Sequence, residues 1–248
     1  MKKIFALMLA LVMLLCLCSC GNKYNQKVRN SFDKAVAYTE SLLDTSSMTS
    51  FVRDESNGNY IYKYWNHGEN EGNADIDLNV EIEGHTITLN KTTVRDLKDM
   101  GFEVMIGFET LAPGETASLA IYSKDKRIAF NTARNETNEK VDVNDMPLCA
   151  FYGEMDDGHI PFVYRGLTIG STLEEIVAAL GSPNNAASIA TDETGSSIGM
   201  DYFSDSTEDN AHITSALSIT ANYDADADTA VLSNVQLDID IEPLEKTE

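Results

Sequence analysis

Apolar and polar residues alternate along much of the C-terminal half of this chain. In HITSALSITANYD and AVLSNVQLDIDIE, Leu217, Ile219 and Ala221, then Val235, Leu237, Ile239 and Ile241, recur at every second position, the period of a strand that rests one face on a core. Asp238, Asp240 and Glu242 fill positions between them and are expected to face water. Similar strand patterns are read in YIYKYW (Tyr60 to Trp65), in Ile76, Leu78, Val80 and Ile82, in FEVMIGF, in ASLAIYSKDKRIAFNTA, in LCAFYG and in GMDYFS. The polar stretches Thr45 to Asn59, Asn66 to Asp75 and Asn184 to Ser197 are expected to be loops, with a short helix near Ala186 as the alternative in the last.

The period changes from two to that of a helix in three places. Val28, Phe32, Ala35, Val36, Leu42 and Leu43 predict a helix from about Gln26 to Asp44. Leu173, Ile176, Val177 and Leu180 form an apolar stripe, with Thr172 and Glu175 at capping-box spacing and Gly181 and Pro183 as the stop. Eighty residues earlier the pattern recurs: Thr88, Thr92 and Gly101 stand opposite Thr168, Thr172 and Gly181. Val94, Leu97 and Met100 form that copy's stripe, with Thr93 and Asp96 at the capping spacing. Such recurrence predicts an α+β fold of two similar units, each a short helix packed on an antiparallel β-sheet, after an N-terminal helix. The units are drawn at residues 27–155 and 156–248.

Composition constrains partners more than fold. Across 248 residues the formal net charge is −22, an excess of acid that repels phosphate backbones, so nucleic acid is not an expected partner. A hydrophobic content of 43% is ordinary for a globular chain.

The N-terminus changes the picture further. Lys2 and Lys3 precede an unbroken apolar run, Ile4 to Leu17, which has the length of a signal-peptide core and falls short of the roughly 20 residues of a spanning helix. Residues 1–19 are therefore read as an export signal. Leu17, Cys18, Ser19, Cys20 and Gly21 resemble the lipobox of bacterial lipoproteins. The resemblance implies diacylation of Cys20, and two acyl chains give stable membrane anchoring. Residues 20–26 would then be a lipidated tether, and the folded part would be extracytoplasmic, held at the cell membrane. Cys16 and Cys18 leave with the leader, so Cys149 has no disulfide partner and reads as a buried strand residue.

Thr172, Glu175, Val177, Leu180, Gly181 and Pro183, followed by Tyr202, resemble the repeat unit of the beta-lactamase-inhibitory-protein-like superfamily and of the small BamE-type (SmpA/OmlA) lipoproteins. In leader and layout the chain is also similar to envelope lipoproteins of gut Firmicutes. These residues are a cap, a core stripe and a stop, so what the resemblance implies is tandem helix-on-sheet units rather than an activity.

No HExxH, GxSxG, GxxxxGK[ST] or CxxC occurs, and the sequence assigns no catalytic residue and no cofactor. His67, His85, His159 and His212 are scattered in polar settings and read as surface residues. Asp224, Asp226 and Asp228 have the first spacings of a calcium loop, but Thr229 and Val235 stand where that loop needs glycine and glutamate. A solvated hairpin turn is the reading, and a metal site the alternative. The expected function is non-enzymatic: a lipid-anchored envelope protein that binds another protein or an envelope polymer. A solute-binding lipoprotein of a transport system is the alternative, and a hydrolase the third.

Overall fold

A computed structural model describes residues 26–54, 60–67, 74–154, 158–208 and 211–243. The leader, Cys20 and most of the tether lie outside the described residues. The chain enters as helix α1 (residues 26–42), with Val28, Phe32 and Ala35 buried. The strands β1 (Thr49–Asp54), β2 (Ile61–Asn66), β3 (Asn79–Ile82) and β4 (His85–Thr88) follow. Helix α2 (Val94–Asp99) leads to β5 (Glu103–Ile106), β6 (Thr110–Leu111), β7 (Thr116–Tyr122), β8 (Ile128–Arg134), β9 (Val141–Asp142), β10 (Leu148–Glu154) and β11 (Phe162–Val163). Helix α3 (Leu173–Leu180) leads to β12 (Ala186–Thr191), β13 (Ser196–Glu208), β14 (Ala211–Asp224) and β15 (Thr229–Pro243).

Local chemistry explains the helices. Both predicted capping boxes form: Thr93 pairs with Asp96, and Thr172 with Glu175, each satisfying backbone N–H groups that would otherwise lack partners. Gly181 ends α3 at φ 78°, and its carbonyl accepts the Tyr202 hydroxyl at 2.9 Å. Turn chemistry sets the β3–β4 hairpin: Glu83 and Gly84 both take positive φ, 48° and 79°, as a two-residue connection of matching twist requires.

Strands dominate, and this overturns the expected architecture. Strand accounts for 52% of the described residues and helix for 17%, with three helices among them and one large antiparallel sheet rather than two helix-on-sheet units. That sheet has ten strands in the order β1-β2-β12-β13-β14-β15-β10-β8-β7-β5. Two segments expected to be loops are strands. Residues 49–54, with only Phe51 and Val52 as large apolar residues, pair along the whole of β2 as the edge strand β1. Ala186–Thr191 becomes β12, hydrogen-bonded on both sides to β2 and β13; Ile189 is its one large apolar residue, too little to mark a period-two pattern. The expected boundary near residue 155 falls outside the described residues, and hydrogen bonding runs across it through the β10·β15 pair.

One face of the sheet carries the core. Ile198, Met200, Leu217, Ile219, Val235, Leu237 and Phe151 point to it and are buried. Helix α1 packs over one end of this face, where Ser31 meets Ser196 at 3.0 Å and Tyr38 lies 5.3 Å from Tyr223 between ring centroids. The small sheet β11-β3-β4 packs over another part: Phe162 meets Phe151 edge to face at 5.6 Å. Gly153 makes room for that ring, since a Cβ there would lie 2.3 Å from it. Asn131, on the same face of β8, is 1% exposed, and among the described residues its amide has no hydrogen-bond partner.

Two measurements check this packing. Gly153→Ala should destabilise the fold by about 1–3 kcal/mol in urea titrations, because the Phe162 ring is held on all sides. Asn131→Leu should instead stabilise it by about 1–3 kcal/mol, the penalty of a buried unpaired amide.

Candidate functional site: the open face of the sheet

Every second side chain of the ten strands points away from the core, and cross-strand register lays these residues out in rows. One row runs Phe51, Tyr64, Ser188, Gly199, Thr220, Asn234 and Glu154. The next runs Ala186, Asp201, Ser218, Gln236, Tyr152 and Phe130. A third runs Phe203, Ala216, Asp238, Ala150 and Thr132. Phe51 and Tyr64 toward one flank and Tyr152 and Phe130 toward the other border a floor of hydroxyl, amide, carboxylate, alanine and glycine positions, with Phe203 standing within it. Phe51, Tyr62 and Tyr64 cluster at one flank with ring centroids 5.5–6.2 Å apart. Phe51, Met105 and Phe130 are more than two-fifths exposed.

Small residues beside large ones produce relief on this face. A groove of about 380 Å³ crosses the third row, lined by Thr132, Ala150, Tyr152, Phe203, Ala216 and Asp238. Asp238 occupies its middle, between Ala150 and Ala216. Gln236 Nε2 donates to the Asp238 carboxylate at 2.7 Å and to the Tyr152 hydroxyl at 3.3 Å. Burial holds the Asp238 carboxyl above the usual carboxylate range, against the lowering effect of that hydrogen bond. Its neighbour Asp240 is ion-paired to Arg134, which also lies 3.8 Å from Glu136. Cys149 lies at the edge of this groove; burial pushes its thiol up to about 11, so it is not a reactive thiolate.

The residues singled out from sequence fare differently. Cys20 lies outside the described residues. Asp224, Asp226 and Asp228 form the β14–β15 turn, and two of their carboxylates serve it: Asp224 Oδ1 accepts the N–H groups of Asp226 and Ala227 at 2.8 and 3.1 Å, which lowers its pKa. Asp228 accepts the Tyr223 hydroxyl at 2.7 Å. Among the described residues no group of three His, Cys, Asp or Glu side chains is placed to hold a metal ion. Asp238 and Asp240, expected to face water, stand on the open face, Asp238 in the groove and Asp240 in an ion pair with Arg134. Of the histidines, His159 is largely covered: its side chain is 11% exposed, 3.5 Å from Glu154, with its ring 6.0 Å from that of Phe130.

A second cavity, about 500 Å³, lies where the N-terminal half of α1 meets the 192–195 and 224–226 turns. Lys27 and Lys34 line it opposite Asp192, Glu193, Asp224 and Asp226. Among the described residues no helix is long and apolar enough to cross a membrane. Comparison with known protein families, with curated proteins and with solved structures finds no match for this chain.

The raised pKa of Asp238 has a testable sign. Because the folded protein binds the Asp238 proton more tightly than the unfolded chain does, the site favours folding at acid pH and opposes it once the carboxyl ionises. Asp238→Asn should therefore raise Tm at pH 7, and the difference from the parent should close as the pH falls below about 4, the unfolded carboxylate range. Thermal melts across pH 3 to 8 check it.

Proposed function

We propose that this chain is a lipid-anchored extracytoplasmic protein that works by binding, and that the open face of its ten-stranded sheet is the binding surface for another envelope protein. The observation that carries this reading is the layout of that face. Its rows combine exposed aromatic flanks with a floor of hydroxyls, amides and alanines, and no described helix or strand packs over them. Aromatic residues with polar tips and small hydrogen-bonding neighbours are the chemistry that protein interfaces favour. Breadth also argues for a macromolecule, since the rows span more strands than a small molecule covers. The anchoring part rests on the apolar run Ile4 to Leu17 and on Cys20.

A solute-binding role has one observation in its favour, the cavity beside α1. Paired lysines and carboxylates there would suit a zwitterionic solute, and a ligand-induced rise in Tm across a panel of amino acids and peptides would favour it.

The main reading is tested in cells. A photo-crosslinking amino acid at Thr220, in the middle of the open face, should give discrete protein adducts, while one at Ala179, exposed on α3, should give none. Equal labelling at both positions would remove the open face as the binding surface. In the same strains Cys20→Ala should abolish incorporation of an alkyne-tagged fatty acid and release the protein from the membrane fraction; acylation that survives the substitution would refute the anchor.

A further inference from the structure

We infer that the groove across β8, β10, β15, β14 and β13 takes an arginine or lysine side chain from an extended segment of a protein partner, with Asp238 as its counter-charge. This rests on the reading of the open face as the binding surface and names the chemistry recognised there.

Three observations carry it. First, the shape comes from register. Ala150 and Ala216 flank Asp238 in one cross-strand row, so the carboxylate stands in a gap that longer residues on either side would fill. Thr132 and Phe203 close the row at its ends. Adjacent strands lie about 4.8 Å apart, so five strands give a trough of roughly 19 Å, the length of several extended residues. Second, the charge is uncompensated. Arg134 is committed to Asp240 and Glu136, and among the ion pairs of the described residues none involves Asp238. A single amide, that of Gln236, donates to it, which leaves acceptor capacity on a carboxylate that can accept from a bidentate guanidinium. Third, Tyr152 and Phe203 line the same groove, and aromatic faces beside a carboxylate hold a cation and its aliphatic stem together. The half-buried setting of Asp238 strengthens the pairing, because a partner cation replaces solvation the carboxylate has already lost.

An acidic chain attracts cations everywhere, so the experiment separates the groove from the bulk field. Full-length protein in detergent is titrated at about 0.15 M salt, where long-range attraction is screened, with a fluorescein-labelled octapeptide of alternating glycine and arginine. Asp238→Asn should weaken binding by about tenfold, the scale set by loss of one partly desolvated charge pair. Asp226→Asn, which removes the same charge from an exposed turn, should change it by less than about twofold, the size of a screened surface effect. Tyr152→Ala should weaken binding, and Ala216→Leu, which fills the gap, should weaken it without any change of charge. Equal effects of Asp238→Asn and Asp226→Asn would overturn the inference. So would arginine amide competing as well as the peptide, which would make this a small-cation site. Should Asp238→Asn fail to fold, Ala216→Leu decides in its place, and unchanged binding there overturns the proposal. A photoreactive version of the peptide separates the two levels of the reading. Adducts on β10, β13 and β14 support the groove. Adducts at the β1–β2 flank sink the groove while the open-face reading stands, and adducts confined to the helix-covered side sink both.

Discussion

Antiparallel pairing of β10 with β15 is the contact on which the architecture turns. Each of these strands ends a run of neighbours in the chain, β5-β7-β8-β10 on one side and β12 to β15 on the other, and their pairing makes the two runs one sheet. On the core face it sets Phe151 beside Leu237 and Gly153 beside Val235, all four buried. Phe162 of the small sheet then packs onto Phe151 and over Gly153, so this seam lies under a second layer. On the other face the same register sets Ala150 beside Asp238 and Tyr152 beside Gln236. A one-residue slip would turn the alternating residues over and expose the core. Burial on one side thus fixes the layout of the other, and the groove is a by-product of a seam that stability requires.

Much of the local structure was legible in the sequence. The two capping boxes, the glycine stop at Gly181 and the long C-terminal strands follow from spacing that works through neighbours a few residues apart. What escaped was set by distant pairing. Nothing in the composition of residues 49–54 marks β1, whose order comes from the complete ladder it forms with β2. Ala186 to Thr191 reads as a loop because alanine, serine and threonine carry little periodic signal, yet its two neighbours impose a strand. Strands β2 and β1 extend the β12–β15 run outward, while the β10·β15 seam joins what were expected as separate units. Recurring helix signals report local stop and start chemistry, and they say little about whether the strands that follow form one sheet or two.

The candidate site shows the same division. Asp238 could be read as a polar position of an alternating strand, and its outward direction was legible. Its neighbours were not, because Ala150, Ala216, Phe203 and Tyr152 come from three other strands, and only register brings them to one carboxylate. The aspartates that did stand out by spacing, Asp224, Asp226 and Asp228, are adjacent in the chain and do work local to it. Asp224 caps the turn and Asp228 receives a tyrosine hydroxyl.

Net acidity and the open face act on different scales. Charges spread over a surface attract any cation and are screened within about 8 Å at physiological salt, so they raise encounter rates without selecting a partner. Selection needs a carboxylate whose solvation is already reduced and whose surroundings admit one shape. Several acidic side chains fail that test because local hydrogen bonds already occupy them, as in Asp44, Asp96, Asp142 and Asp192, whose pKa values are held low by those bonds. Asp238 differs in both respects, since burial outweighs its one hydrogen bond and small neighbours leave space beside it. The acidity of the chain therefore brings a basic partner near, and the alanines of one cross-strand row determine where it docks.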